Sequence, residues 1–252
     1  MNRSRVRVEP SPVFAGALEL IVDDRPQSVV DPSRPVRLHY DYAHRVGAVL
    51  AVARPPGEPM RVLHVGGGAM TLARHVAATR PGSRQVVIEA DPEVVRAVDE
   101  RMPLDAATAR SVRVRVGDAA EVLPTLAGPY DVAIVDAYVG LEAPGFADSA
   151  DWYRRVRGLV PGGIVIANVV DEGDLRRVRA VAAVLAEVFG DLLALGPSDL
   201  LAGERGGNVV LVGGGGARMA GRLDALRQAG PHPAFVFGPD EVRDRLGAGP
   251  LG

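Results

Sequence analysis

Four features of this chain have residue types suited to chemistry, and each falls at the end of an apolar run. The first is Gly66, Gly67 and Gly68 in "RVLHVGGGAMTLARHV", where a Val-rich run meets three glycines and then helical spacing. Adjacent glycines are costly to order and have nothing to pack, so they mark a sharp turn or a close approach to the main chain. The second is Glu89, closing "VVIEA" about 20 residues further on, where an acid commonly accepts bonds from both hydroxyls of an unphosphorylated ribose. The third is Asp118 in "VRVGDAAEVL", which either recognises an adenine amino group or caps the helix beginning at Ala119. The fourth is Asp136, which follows four apolar residues in "YDVAIVDA". An unpaired buried carboxylate costs roughly several kcal/mol, so an acid at the edge of such a strand points to the reacting end of a ligand rather than to packing.

These positions need a scaffold that brings strand ends together. From "RVLHV" onward the chain alternates strand and helix: "MTLARHVAATR" is helical, "QVVIEA" strand, "PEVVRAVDERM" helix, "VRVRVG" strand and "AAEVLPTL" a short helix. "DVAIVDA", "SADWYRRVRGL", "GIVIANVV" and "LRRVRAVAAVLAEVF" repeat the alternation. Short uninterrupted Val and Ile runs between helices predict an α/β fold, a doubly wound and mostly parallel sheet covered on both faces. In such sheets ligands lie beyond the carboxyl ends of the strands, where the glycine loop falls. Residues 1–38 read as a small N-terminal β-hairpin element, with strands within 13–30 and a turn at Asp23 to Pro26; residues 39–252 form the main domain, opening with a helix from about Tyr40 to Ala53. "DLLALGP" and "GNVVLVGG" read as closing strands, and the chain beyond about Gly213 as helical, turn-rich and peripheral.

Composition narrows the function. The 252 residues carry 29 basic and 31 acidic side chains, a balance with no global field for nucleic acid or a membrane surface. There is no cysteine, which removes disulfides, thiolate metal sites and cysteine nucleophiles and suits a cytoplasmic location. There is no lysine, which removes Walker-type phosphate binding and Schiff-base chemistry. Thr71 stands where the last glycine of a dinucleotide fingerprint belongs, disfavouring NAD.

The glycine loop with Glu89, Asp118 and Asp136 resembles the S-adenosylmethionine-dependent methyltransferase fold, a Rossmann-like sheet. Within it, "GGGAMTLARHV", "VVIEADPEVV", "VGDAAEVL" and "YDVAIVDAYVG" resemble the spermidine synthase family, especially divergent bacterial members. The resemblance runs from about residue 13 to 212. It implies aminopropyl transfer from decarboxylated S-adenosylmethionine to an amine, with no tightly bound cofactor, no metal, no nucleic-acid or membrane partner, and often a homodimer. It implies that Asp136, matching the first acid of an Asp-x-x-Asp motif, deprotonates the attacking amine with help from Tyr42. It also places Gln27 of "RPQS" at the donor. Two departures stand out: Ala69 replaces the acid that meets the donor's amino group, and Val139 replaces the second acid of the motif. Ala69 removes discrimination against the carboxylate of intact S-adenosylmethionine, so a methyltransferase is an alternative. A noncatalytic binding or assembly protein on the same fold is another.

Several residues are left with two readings. Glu142, Asp148 and Asp151 either anchor a cationic acceptor in place of Val139 or are solvated loop and cap residues. Trp152 and Tyr153 either line an acceptor pocket or pack in the core. Arg205 either meets a ligand carboxylate or is an exposed loop arginine. Asn168 lines the site or ends a strand. His39, His44, His64 and His75 have no metal-ligand spacing, and His64 inside a strand is a packed residue.

Overall fold

The structure is a computed structural model that describes residues 5–137, 145–231 and 235–247. A three-stranded antiparallel sheet comes first, β1 (Val6–Pro10), β2 (Leu18–Val22) and β3 (Arg25–Val30), in that order. The hairpin expected from sequence is β2–β3, turning through Asp23 and Asp24, both with positive φ. Its first strand starts later than expected because residues before Leu18 form the turn back from β1, closed by Ser11 N donating to the Ala17 carbonyl at 2.9 Å. The strand β1, not expected from sequence, is an alternating "VRVEP" run in which Arg7 pairs with Asp24 at 2.6 Å.

The main sheet contains β4 (Arg61–Val65), β5 (Arg84–Glu89), β6 (Val112–Val116), β7 (Val132–Val135), β8 (Ile164–Asp171), β9 (Leu192–Gly196), β10 (Gly207–Gly214) and β11 (Phe235–Phe237). Their spatial order is β11-β9-β10-β8-β7-β4-β5-β6. Strands β6, β5, β4, β7 and β8 pair in parallel, whereas β10 is antiparallel to both its neighbours and β11 is antiparallel to β9. The chain moves outward from β4 to β5 and β6, then returns to the other side of β4 as β7. A crevice opens where the winding reverses. The edge strand β11 lies in the tail expected to be helical and peripheral. A three-residue strand carries too little periodicity to read, and its place comes from pairing with β9.

Residue alternation on the central strand fixes which helices cover which face. Ala133 and Val135 of β7 join the core beneath the helices Ala150–Leu159 and Arg176–Phe189. Val132 and Ile134 join the core beneath α1 (Asp41–Ala53) and α2 (Thr71–Thr79). Each such buried Val or Ile side chain contributes roughly 1.5–3 kcal/mol. The small N-terminal sheet packs onto the main domain, with Leu20 and Val30 sharing a core with Ala69, Met70, Ala73 and Val87.

Two buried arginines lock neighbouring elements of the main domain together. Arg80 donates to the carbonyls of Leu50 (2.6 Å), Arg54 (3.2 Å), Pro55 (2.8 Å) and Glu58 (3.0 Å), satisfying the end of α1 with a positive charge where the helix dipole favours one. Arg74 donates to the carbonyls of Ala69 and Pro103, both at 3.2 Å, and of Met102, tying the glycine loop to the end of α3 (Pro92–Arg101).

Candidate functional site

Strand register brings the predicted acids to one level. Val65 pairs with Ile88 on one side and Val135 on the other, so Gly66, Glu89 and Asp136 are the next residues on three adjacent strands. Glu89 in turn pairs with Val116, two residues before Asp118. A cavity of about 680 Å³ opens over these ends, and Gln27, Tyr42, Gly66, Gly67, Gly68, Glu89, Asp118 and Asp136 all line it.

Two of the three glycines, Gly66 and Gly68, are required by the protein itself. A Cβ on Gly66 would lie 2.1 Å from the Asp136 carbonyl oxygen, and one on Gly68 would lie 2.4 Å from Ser28 Oγ in β3. At Gly67 the Cβ direction is filled by Met70 and Val87, each 3.0 Å away, and by Glu89 Oε2 at 3.3 Å. Gly66 (φ 97°) and Gly68 (φ 47°) also hold backbone conformations that a side chain disfavours. The loop is thus pressed against β7, β5 and the N-terminal sheet while lining the cavity.

Glu89 braces that loop. Its Oε2 accepts from Gly67 N (2.9 Å) and Gly68 N (3.0 Å), and Oε1 accepts from Asp91 N (3.0 Å). A carboxylate has about four acceptor positions, so roughly one is left for a ribose hydroxyl. Asp118 caps the short helix Ala119–Val122, accepting from Ala120 N at 2.7 Å through Oδ1, and it also lines the cavity. Both readings of this residue are compatible with its position.

Asp136 is an acid perturbed by its burial. Its backbone is fixed by Asp136 N donating to the Val65 carbonyl at 2.8 Å. Burial raises its carboxyl pKa above the ordinary range, while Asn168, donating from Nδ2 at 2.8 Å, and the Tyr42 hydroxyl pull it back down. The Tyr42 pKa is raised well above its usual value, first by burial and then by the Asp136 charge, so the phenol remains a hydrogen-bond donor. Asn168 reaches Asp136 because Ala167 pairs with Val135, making Asn168 and Asp136 neighbours on β8 and β7.

A second cavity of about 470 Å³ lies on the other side of Asp136. Gln27, Tyr40, Tyr42 and Asp136 line both cavities. Asn168, Asn208, Arg25, Arg45 and Arg205 line only the second. Arg45 was absent from the sequence-level candidates; its signal was its place on α1, one turn beyond Tyr42. This geometry sets one proton acceptor between two compartments, suited to moving a group from a molecule in one to a nucleophile in the other.

Other residues resolve differently. Trp152 and Tyr153 are core residues, Trp152 stacking on Phe146 with ring centroids 4.6 Å apart, and neither lines either of these two cavities. Asp148 is exposed, and Asp151 pairs with Arg154 on the surface; neither faces the site. Val139 and Glu142 lie outside the described residues. His64 is buried against Gln85 at 2.8 Å and burial lowers its pKa to about 4, so it is neutral near pH 7. Ala69 is buried in the core under the loop. Among the described residues no group of three or more acidic or histidine side chains is arranged to hold a metal ion. Among them, too, no helix is long and apolar enough to cross a membrane.

Comparison with solved structures gives a chain that matches over its full length. A probable spermidine synthase from Corynebacterium glutamicum ATCC 13032 is 26% identical with a TM-score of 0.85, covering 100% of this chain and 93% of that one. A spermidine synthase in complex with the transition-state analogue AdoDATO, 15% identical, has a TM-score of 0.68 over 98% of this chain and 86% of its own. Human methyltransferase-like protein 13 in complex with SAH, 20% identical, has a TM-score of 0.60 over 76% of this chain and 92% of its own. At those identities the last two share the fold alone, a Rossmann-like sheet of the methyltransferase type. No curated protein matches the chain. The spermine/spermidine synthase domain model matches residues 42–170, a little over half of the chain, from Tyr42 through the glycine loop, Glu89, Asp118 and Asp136 to the strand bearing Asn168. The chain belongs to the spermine/spermidine synthase family.

Proposed function

We propose that this protein transfers a carbon group from an adenosyl sulfonium to an amine, with aminopropyl transfer from decarboxylated S-adenosylmethionine as the first reading. The observation that carries it is the Asp136 carboxyl, buried, raised in pKa and shared by two cavities. The larger cavity takes the nucleoside, with Gln27, Glu89 and Asp118 offering polar contacts along it. The smaller takes the acceptor. Asp136, as a carboxylate, removes one proton from the incoming ammonium, because a protonated amine has no lone pair to attack with. That lone pair forms the C–N bond while the C–S bond breaks, its electron pair passing to sulfur, and a neutral thioether leaves. The product ammonium carries the positive charge the sulfonium lost, and Asp136 returns its proton to water. Tyr42 and Asn168 hold the carboxylate in line. A cytoplasmic setting, a homodimer and the absence of nucleic-acid and membrane partners belong to the same proposal.

A second reading, methyl transfer from intact S-adenosylmethionine, is favoured by Ala69, which is buried and leaves the loop without an acid to repel the donor's carboxylate. Thermal shifts with decarboxylated S-adenosylmethionine, methylthioadenosine, S-adenosylmethionine and S-adenosylhomocysteine separate the two. A ligand at about 100 times its Kd stabilises by about 2.7 kcal/mol. The first pair is expected to stabilise; stabilisation by the second pair alone replaces aminopropyl with methyl transfer, and none from any of the four removes both.

A further inference from the structure

Among the described residues that line it, the second cavity carries more arginines than acids, a poor match for a diamine or polyamine. Its charged side chains among the described residues are Arg25, Arg45 and Arg205 against Asp41 and Asp136. The Arg45 side chain is only 5% exposed, makes no hydrogen bond among the described residues, and has as its nearest carboxylate Asp41, 4.0 Å away and itself 70% exposed. An arginine does not shed its proton in a protein, so this buried guanidinium faces the cavity as a fixed, poorly paired charge. Burial above all lowers the Arg45 pKa; Asp41 raises it and the Arg205 charge lowers it, which places Arg205 close enough to be felt. Arg205 is oriented by Asp199 at 2.6 Å, and Arg25 has no ion pair among the described residues.

We infer that the acceptor carries a carboxylate remote from its reacting amine, and that Arg45, with Arg205, binds that carboxylate. This rests on the proposed transfer to an amine and specifies its substrate class: an amino acid rather than a polyamine. A guanidinium fork matches a carboxylate through two parallel N–H bonds, and an anion delivered there would pair Arg45. A second ammonium in the same place would meet like charge. The amine end of the acceptor lies toward Asp136. Arg45 is one helical turn from Tyr42, whose hydroxyl interacts with Asp136, so the two ends of a short amino acid find opposite charges within one cavity. The transfer step is unchanged, and the carboxylate takes no part in it.

Isothermal titration with γ-aminobutyrate and with putrescine, chains that differ chiefly in the group at one end, tests this on the full chain with and without saturating methylthioadenosine. The acid is expected to bind roughly tenfold or more tightly than the diamine. Arg45→Gln is expected to abolish that preference while leaving methylthioadenosine binding intact, and Arg205→Gln, at a half-exposed side chain, to reduce it. Equal or tighter binding of putrescine, no detectable binding of the acid, or a preference that survives both substitutions would overturn the inference. Inorganic phosphate serves as a competing probe: Arg45-dependent binding of phosphate tighter than that of the acid overturns the carboxylate in favour of a phosphate group. Failure of methylthioadenosine to bind defeats the aminopropyl reading separately, since the ratio of acid to diamine measured without nucleoside still decides the role of Arg45.

Discussion

Asn168 donates its side-chain amide to the Asp136 carboxylate at 2.8 Å, across two strands whose register makes the residues neighbours. The bond favours the charged form of an acid that burial pushes toward neutrality. Asp136 must be ionised to accept a proton, so its pKa sets the acidic limb of the rate. Removing the donor in Asn168→Ala leaves the burial in place and raises that pKa further. The acidic limb of kcat/KM is expected to move to higher pH, measured against the wild-type profile in the same buffers. A limb that stays where it was would take Asn168 out of this role.

Asp136 also imposes a stability cost that can be measured without substrate. Because its folded pKa lies above the unfolded value, the folded chain keeps a proton that the unfolded chain has lost. That advantage to folding is complete below the unfolded pKa and disappears as pH rises through the folded one. Asp136→Asn is therefore expected to abolish turnover yet stabilise the fold at neutral pH by about 0.5–2 kcal/mol, the scale of a single stabilising substitution. The gain should shrink as pH falls toward the ordinary aspartate value of about 3.9. Denaturation curves at neutral and acidic pH check both signs. An Asn variant less stable than wild type at neutral pH contradicts the argument.

Glu89 has two duties that one substitution separates from a purely ligand-facing role. In Glu89→Gln one carboxylate oxygen becomes an NH₂, which cannot accept from Gly67, Gly68 or Asp91. Leaving a loop amide unpaired is expected to cost about 1–3 kcal/mol and to lower the Tm of the ligand-free protein by several degrees. Methylthioadenosine affinity should fall as well, because the loop that lines its cavity loosens. If calorimetry of the ligand-free variant matches wild type while affinity falls, Glu89 acts on the ligand alone.

Local patterning was enough to read most of this molecule. Val and Ile runs of strand length, separated by amphipathic helices, report burial on two faces, and each of the acids at Glu89, Asp118 and Asp136 interrupts such a run at its end. Those signals lie within a few residues of one another, so the alternating fold, the glycine loop and the set lining the larger cavity were visible without coordinates. The hydrophobic period carries no comparable record of pairing between distant strands. Hence β1 and β11 were missed, and so was the insertion of β10 between β8 and β9.

The reason for the glycines was likewise decided by the fold. From sequence they suggested room for a ligand; in three dimensions Gly66 is excluded from bearing a side chain by the Asp136 carbonyl, and Gly68 by Ser28. Residues 66 and 136 meet only because β4 and β7 are adjacent, and 28 and 68 only because the small sheet docks on the large one. The same holds for Asn168 beside Asp136, and for Arg45 and Arg205, which come from α1 and the turn before β10 to one cavity. Residue types set what chemistry was available; strand order and register, fixed by burying both faces of one sheet, decided which of those groups face each other.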